Sequence, residues 1–201
     1  MVILASKSPR RRALLARLVE RFQVVSADID ECRHDGEPPS DYVLRLALGK
    51  ASKIQMLYPN ATIIGADTTV VLDSECLQQP ADTAEAIGML ERLSGRTHKV
   101  FTGVAVVNQS HRVSKEFVTE VEFARLSRTL IEAYVASGES FGKAGAYALQ
   151  GLGDILVDSV NGSVSNVIGL PLRGTMQMLV DVGEPVKFVS APDSEFFSAH
   201  G

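Results

Sequence analysis

The sequence of 201 residues predicts an α/β protein with a single domain. Short apolar runs rich in β-branched residues, typical of buried strands, alternate with longer segments in which apolar residues recur every three or four positions. No internal repeat, low-complexity tract or linker-like change of composition divides the chain. We therefore expect one domain over residues 1–190, followed by a flexible tail at 191–201.

The first predicted strand, at residues 2–5, leads directly into the first predicted helix, at residues 9–22. Ser8 is a natural N-cap, and Pro9 suits the first helical position, where its missing N–H costs nothing. The apolar residues of the helix recur on one face. Residues 22–25 then alternate like a strand, and the prolines and glycine at 35–40 indicate a loop.

The turn between this strand and helix carries donors for an anion. Ser6 and Ser8 supply hydroxyl groups, and Arg10, Arg11 and Arg12 supply guanidinium groups that bind phosphate in a bidentate manner. The positive end of a helix dipole favours a phosphate or a carboxylate at the same place. The alternative is an ordinary capped helix with solvated arginines.

A second helix is predicted between Ser40 and Tyr58, where Pro59 ends it. Lys50 falls in the middle of its apolar stripe. A lysine at such a position either extends to the surface or reaches an anion on a neighbouring element. The pattern leaves both interpretations open.

A buried strand is predicted at residues 61–66, with Asp67 at its end and a second apolar run at 68–72. Burial of a carboxylate among apolar residues is costly unless the group is paired or bound to a metal. Asp67 is therefore the acid most suspected of a functional role.

The remaining elements follow from shorter signals. Asp82 and Glu85 resemble a capping box that begins a helix, which Ser94 and Gly95 end. Further strands are predicted at 99–107, 113–124 and 155–160, a helix at 127–137, and a last helix from Pro171.

Composition excludes several classes of function. The net charge of −4 does not favour a nucleic-acid partner, and Cys32 and Cys76 lack the spacing of a zinc site or a disulfide framework. The N-terminal apolar segment is too short for a signal peptide, and no apolar run approaches the roughly 20 residues that span a bilayer. We expect a cytoplasmic protein without a membrane partner.

Glycines are concentrated between residues 138 and 153, but their spacing matches neither a P-loop nor a dinucleotide-binding fingerprint. The segment offers close backbone approach, an aromatic ring for stacking (Tyr147) and an amide that could read a base edge (Gln150). The four histidines are isolated, and a structural hydrogen bond is the expected role of His98.

Taken together, these segments resemble the Maf family of nucleoside triphosphate pyrophosphatases along almost the whole chain. The AGAYALQG segment resembles the branch of the family that acts on dTTP and UTP, whereas the 7-methyl-GTP branch typically has Glu in place of Gln150. The matching segments are LASKSPRR, IDE, RLALGKA, IIGADTTVVLD, LSGRTHKVFTGVAV, SGESFGKAGAYALQGLG and NVIGLPL.

The resemblance implies a long, mixed, twisted sheet with flanking helices and a central cleft, related to the inosine triphosphate pyrophosphatases. It implies hydrolysis of a nucleoside triphosphate to the monophosphate and diphosphate with Mg²⁺ or Mn²⁺, and it makes a homodimer plausible. Asp67 matches the proton acceptor of the family. Arg10, Thr68 and Gln150 match its positions of substrate specificity.

The residues themselves suggest how such a site would work. The N-terminal turn and Lys50 would neutralise the triphosphate. Glu31 and Asp67, each expected to follow a strand, would hold the metal. The alternative for these two acids is a pair of solvated carboxylates at strand ends.

One position departs from the resemblance, because Gln79 stands where the family usually has a lysine before a proline. The loss of a cation predicts weaker binding of phosphate, and Arg92, Arg96 and Lys99 are the candidates to replace it. Gln79 also leaves room for an alternative function, a nucleotide-binding regulator linked to cell division arrest or septum formation with weak catalysis.

Overall fold

A mixed seven-stranded sheet forms the centre of the computed structural model, which describes residues 1–188. The strands lie in the order β2-β1-β3-β5-β6-β7, and β4 pairs with the far end of β3. β1 is parallel to β2 and β3, and the other pairs are antiparallel. The strands are β1 (Val2–Leu4), β2 (Phe22–Val24), β3 (Thr62–Leu72), β4 (Glu75–Leu77), β5 (Thr97–Val107), β6 (Arg112–Phe123) and β7 (Val157–Asn161).

Helices cover both faces of this sheet, which confirms the predicted α/β class with a long mixed sheet. Two 3₁₀ turns, at Ala144–Ala146 and Gly151–Leu156, precede β7. The helices are α1 (Pro9–Leu15), α2 (Pro39–Leu57), α3 (Thr83–Leu93), α4 (Arg128–Ala136), α5 (Val164–Ile168) and α6 (Leu172–Asp181). None of them, within the described range, has the length and hydropathy needed to cross a membrane.

Most of the predicted elements are present with small shifts of their ends, and the main differences concern the first half of the chain. α1 ends at Leu15 instead of residue 22, because the chain must turn back for β2 to pair with β1, with Phe22 opposite Val2. β4 and α5 were not predicted from the sequence. The predicted tail at 191–201 lies outside the described residues.

β3 is a single strand that continues through Asp67, so the prediction that Asp67 ends a strand is wrong. Because β3 pairs with β5 from Ile63 to Val71, its backbone stays extended on both sides of Asp67. Alternate residues of β3 then face opposite layers: Ile63 packs in the cluster beneath α2, and Ile64 packs in the cluster beneath α1 and α6. Asp67 therefore points toward the α2 side, and Thr68 toward the α1 side.

Two glycines let α2 lie directly on the sheet. A Cβ atom at Gly65 of β3 would stand 2.1 Å from the Ala47 carbonyl oxygen, and one at Gly103 of β5 would stand 2.3 Å from the Val43 carbonyl oxygen. Because both contacts are with the α2 backbone, no side-chain rotation could relieve them. This close approach brings Lys50, one turn beyond Ala47, over β3.

The edge of β3 that pairs with β1 and β4 contains a gap, which is a stretch without a neighbouring strand in the described part of the chain. β1 pairs with Thr62–Ile64 and β4 pairs with Val70–Leu72, so the segment between these two stretches has no strand beside it on that edge within residues 1–188. Asp67 and Thr68 lie in this gap. The pairing of β1 and β4 with separate parts of β3 thus leaves the sheet open at the carboxyl end of β1. This end of a strand is the usual place for a ligand in α/β proteins.

Candidate active site

A cavity of about 490 Å³ occupies the gap. It is of the size that holds a small ligand. Arg12, expected to supply a third guanidinium, is exposed and does not line it. Ten other candidate site residues do: Ser6, Ser8, Arg10, Arg11, Glu31, Lys50, Asp67, Thr68, Tyr147 and Gln150.

Lys50 reaches an anion, which resolves the two interpretations of its position. Its side chain is buried, and its Nζ lies 2.7 Å from Asp67 Oδ1 and 2.9 Å from Glu31 Oε1. Burial raises the pKa of Asp67, while Lys50 and Arg11 oppose that shift by favouring the carboxylate. The result is a buried acid whose charged form is favoured by a neighbouring cation.

Glu31 comes from a loop and not from a strand end. It lies in the segment between β2 and α2, where its carbonyl oxygen accepts a hydrogen bond from the Tyr42 hydroxyl at 3.0 Å. The same loop is tied to α2 by a bidentate ion pair between Glu37 and Arg45, with Nε–Oε1 at 2.6 Å and Nη2–Oε2 at 2.8 Å. The expectation of two neighbouring strand ends is therefore wrong, although both carboxylates meet at Lys50.

No cluster of three or more metal-ligating side chains occurs among residues 1–188. The donor set at Lys50 is a pair of carboxylates, Glu31 and Asp67, open to the cavity. Mg²⁺ is commonly held by one or two carboxylates together with phosphate oxygens of the substrate. The pair fits an ion that arrives with a polyphosphate, and it does not form a closed cage.

Arg11 is the central residue of the N-terminal turn. Its Nε donates to the Gly169 carbonyl oxygen at 2.9 Å, and its Nη2 donates to Thr68 Oγ1 at 3.0 Å. Burial lowers the pKa of Arg11, although Asp67 and Glu31 oppose the shift. The arginine is thus built into the cavity wall, and the interpretation of solvated arginines fails for it.

The serines of the turn mainly stabilise the turn itself. Ser8 caps α1 as predicted, accepting from the Arg11 backbone N–H at 3.4 Å. Ser6 Oγ accepts from the Ser8 N–H at 3.2 Å. Arg10 also lines the cavity, and burial together with the neighbouring Arg11 lowers its pKa.

Behind Thr68 lies a chain of hydrogen bonds that sequence reasoning missed. Thr68 Oγ1 is 2.9 Å from Thr102 Oγ1, which donates to the Asn166 carbonyl oxygen at 3.1 Å. The Asn166 side chain in turn donates to the backbone of β5 at Val100, 3.2 Å away. Asn166 belongs to the NVIGLPL segment, so its place in a matching segment was the available signal.

Residues 138–156, here called the turn wall, form another side of the cavity, which residues between Gly142 and Gln150 line. Gln150 is exposed at this wall, and no side chain within residues 1–188 hydrogen-bonds its amide. Tyr147 is only 5% exposed: its ring packs edge-on against Phe123, and its hydroxyl is 2.8 Å from His98 Nε2. It therefore has little free ring surface for a stacked base.

His98 has the structural role expected of it. It is buried in β5, and burial lowers its pKa to about 4, so the ring is neutral at pH 7. Through Tyr147 it connects the turn wall to the sheet.

Gln79 is exposed and lines the cavity, but the three cations expected to replace the missing charge do not. Each instead forms an ion pair outside the cavity, so that expectation is wrong: Arg92 with Glu75, Arg96 with Asp73 and Lys99 with Glu120. Lys143 does line the cavity. The Gly145 N–H donates to the Gln78 carbonyl oxygen at 3.2 Å, so the segments that carry Lys143 and Gln79 are neighbours.

The mixed α/β sheet and the cationic cavity around a buried carboxylate are typical of proteins that bind phosphorylated ligands. The chain belongs to the Maf family, since the family model described as "Maf-like protein" matches residues 1–182.

Curated relatives cover nearly all of the chain. A protein of Symbiobacterium thermophilum named dTTP/UTP pyrophosphatase is 48% identical over 185 residues, which are 92% of this chain and 95% of that protein. Its namesake in Myxococcus xanthus is 50% identical over 186 residues, covering 92% and 94%. Among solved structures, the Ham1 protein of Staphylococcus aureus matches 61% of this chain and 71% of its own, with a TM-score of 0.46 and 13% identity.

Proposed function

We propose that this protein is a nucleoside triphosphate pyrophosphatase that hydrolyses dTTP and UTP to the monophosphate and diphosphate, and so removes surplus or modified pyrimidine nucleotides from the pool. One observation carries the proposal: the buried Asp67–Lys50 pair lies in a cationic cavity of a chain 45–50% identical to relatives named dTTP/UTP pyrophosphatase. The cavity is lined by residues between Ala5 and Gly169, so a single domain over residues 1–190 would contain the whole activity.

Asp67 is the proton acceptor in this mechanism. Its Oδ1 accepts a hydrogen bond from Lys50. No residue of the described chain donates a hydrogen bond to Oδ2, so that oxygen is free to accept a proton from water. The water oxygen forms a bond to the α-phosphorus, the bond from that phosphorus to the bridging oxygen breaks, and diphosphate leaves with the electron pair. A raised pKa makes the carboxylate a better base, while Lys50 favours its ionised form.

The cations of the cavity neutralise the triphosphate. Arg10 and Lys143 line it without an ion-pair partner among residues 1–188, and the Arg11 guanidinium is held in place by Thr68 and Gly169. A preorganised cationic site lowers the barrier because it need not reorganise as charge moves onto the leaving group.

Glu31 and Asp67 would hold a divalent metal ion, Mg²⁺ or Mn²⁺, together with phosphate oxygens of the substrate. When bound, the ion neutralises charge on the phosphates that the cations alone leave uncompensated. The open carboxylate pair at Lys50 supports this part of the proposal.

Substrate preference is assigned to Arg10, Thr68 and Gln150. The free amide of Gln150 can donate to and accept from the edge of a pyrimidine. Thr68 acts through Arg11, because its hydroxyl is already bonded to that guanidinium and to Thr102.

Cellular context forms the last part of the proposal. Cys32 and Cys76 are both free thiols, which suits a reducing cytoplasm. A homodimer remains a prediction from the family resemblance.

The direct test is a panel of nucleoside triphosphates, each incubated with the purified protein and Mg²⁺ or Mn²⁺, with diphosphate release as the readout. We expect release from UTP and dTTP, and a loss of about 10²–10⁴-fold in kcat for Asp67→Asn. Asp73→Asn, at an exposed acid outside the cavity, is the matched control. Normal turnover by Asp67→Asn would refute the catalytic assignment, and a purine preference would refute the role of Gln150.

A further inference from the structure

Two side chains outside the cavity hold the part of the turn wall that carries Gln150. Neither Tyr134 nor Glu139 lines the cavity. Tyr134 lies in the last turn of α4, and Glu139 follows shortly after that helix ends. Side-chain oxygen atoms of both residues accept hydrogen bonds from backbone N–H groups of the turn wall.

Tyr134 holds the segment on the N-terminal side of Gln150. Its side chain is 4% exposed, and its hydroxyl oxygen accepts a hydrogen bond from the Ala148 N–H at 3.1 Å. The chain folds closely around this hydroxyl, because a Cβ atom at Gly153 would stand 3.1 Å from it and 1.9 Å from the Ala148 carbonyl oxygen.

Glu139 holds the segment on the C-terminal side. Its carboxylate accepts from the Leu152 N–H, with Oε2 at 3.0 Å and Oε1 at 3.3 Å. Gly151 has a φ of +82°, and a Cβ atom there would lie 2.8 Å from Glu139 Oε1. Only glycine adopts this backbone readily and leaves room for the carboxylate.

Gln150 lies between these two points. It precedes a 3₁₀ turn and is not part of a sheet or an α-helix, so strand pairing does not fix its backbone. An amide can discriminate between base edges only if its position is held, and a loop ordered in advance avoids the entropy cost of ordering on binding.

We infer that Tyr134 and Glu139 are positioning residues that set the base preference of this enzyme by fixing Gln150 from outside the cavity. The inference rests on the proposed function, and it extends the specificity machinery to residues that touch no substrate.

The test compares three variants of the full-length protein. Tyr134→Phe removes only the hydroxyl, Glu139→Ala removes the carboxylate, and Glu139→Gln keeps an acceptor oxygen. For UTP and GTP, kcat and KM are measured separately. We expect the first two variants to raise KM for UTP and lower the preference for UTP over GTP by roughly tenfold, the equivalent of one lost hydrogen bond. kcat for UTP should stay within about twofold of the wild type, and Glu139→Gln should retain most of the preference.

Glu132→Ala is the matched control. Glu132 is an exposed acid of α4, and its carboxylate pairs with Arg128. Amide hydrogen exchange supplies a readout independent of turnover: exchange should accelerate at Ala148 in Tyr134→Phe and at Leu152 in Glu139→Ala.

Unchanged nucleotide preference in Tyr134→Phe and Glu139→Ala overturns the inference, as does an equal loss of kcat on both nucleotides. If Tyr134→Phe does not fold, the two Glu139 variants decide alone. Absence of diphosphate release by the wild-type protein from every nucleotide would instead overturn the proposed function.

Discussion

The two sides of the cavity are built in different ways. The side formed by β3 and α2, here called the sheet wall, places Asp67 and Lys50 on a continuous strand and a long helix. The turn wall consists of 3₁₀ turns and glycines with positive φ, such as Gly145 and Gly151. Side-chain groups bonded to its backbone hold it in shape, as at Tyr134 and Glu139.

The difference corresponds to the tasks assigned to the two walls. A buried ion pair depends steeply on distance, and regular elements hold such distances because no part of them moves alone. The turns of the other wall use positive-φ glycines, which let the backbone follow a path near the ligand that strands do not adopt. In the proposed function, the sheet wall would carry the chemistry, and the turn wall would hold Gln150 for recognition of the base.

The largest effect is expected from breaking the ion pair of the sheet wall. Lys50→Met leaves the buried Asp67 without its nearest cation, which should cost about 3–5 kcal/mol in the free energy of unfolding. The pKa of Asp67, already raised by burial, should rise further. In the proposed mechanism Asp67 acts as a base, so the acid limb of kcat/KM should move to higher pH. Urea unfolding and a pH–rate profile measure the two effects.

Lys53→Met is the matched control, because Lys53 is an exposed lysine of the same helix. An acid limb at the same pH in Lys50→Met and wild type would show that the ion pair does not control the pKa of Asp67.

The connection between the turn wall and β5, at His98, should make stability sensitive to pH. Burial lowers the pKa of His98 to about 4 in the folded protein, whereas an unfolded histidine titrates near about 6.5. The folded state binds this proton less readily, so the stabilisation is complete above about pH 6.5 and declines as the pH falls toward 4. The decline should amount to roughly 3 kcal/mol.

His98→Gln should lack this part of the pH dependence, as measured by the difference in unfolding free energy between variant and wild type at several pH values. His111→Gln, at an exposed histidine, is the control. A difference that does not vary with pH for His98→Gln would contradict the prediction.

A methyl group beneath α2 tests whether the sheet wall depends on close backbone contact. Gly65→Ala places a Cβ against the Ala47 carbonyl, which cannot rotate away, so overpacking should cost about 1–3 kcal/mol and displace Lys50 from Asp67. Thermal unfolding and UTP turnover report both effects. Gly88→Ala in α3, where nothing lies within 4 Å of the added Cβ, should be neutral or stabilising. Equal effects of the two substitutions would argue against the contact.

The smallest effect is expected at the edge of the turn wall. Gln79→Lys adds a cation to the cavity beside the segment of Lys143, and a charge-assisted hydrogen bond to phosphate should lower KM for UTP severalfold. Steady-state kinetics at fixed Mg²⁺ measure it. The matched control is Gln109→Lys, which adds the same charge at an exposed position outside the cavity. An unchanged KM for Gln79→Lys would mean that position 79 does not contact the polyphosphate.

The sequence by itself determined much of the local structure and the family. The N-caps at Ser8 and Asp82 depend on neighbouring residues, and both are present as predicted. The reciprocal bond of the predicted capping box is displaced by one residue, because the Glu85 carboxylate accepts from the Ala81 N–H. Asp67 could be singled out because a carboxylate among apolar residues requires a partner wherever the strand lies. Patterns within a short stretch of chain carry this information.

Only the tertiary structure decided which groups meet. The Lys50–Asp67 pair, the bonds of Arg11 to Gly169 and Thr68, and the hold of Tyr134 on Ala148 each join residues from different elements. They depend on the strand pairing that, in the described chain, leaves one edge of β3 unpaired between β1 and β4. They also depend on Gly65 and Gly103, which let α2 pack closely on the sheet. Such contacts arise from packing between distant segments, which no local pattern encodes.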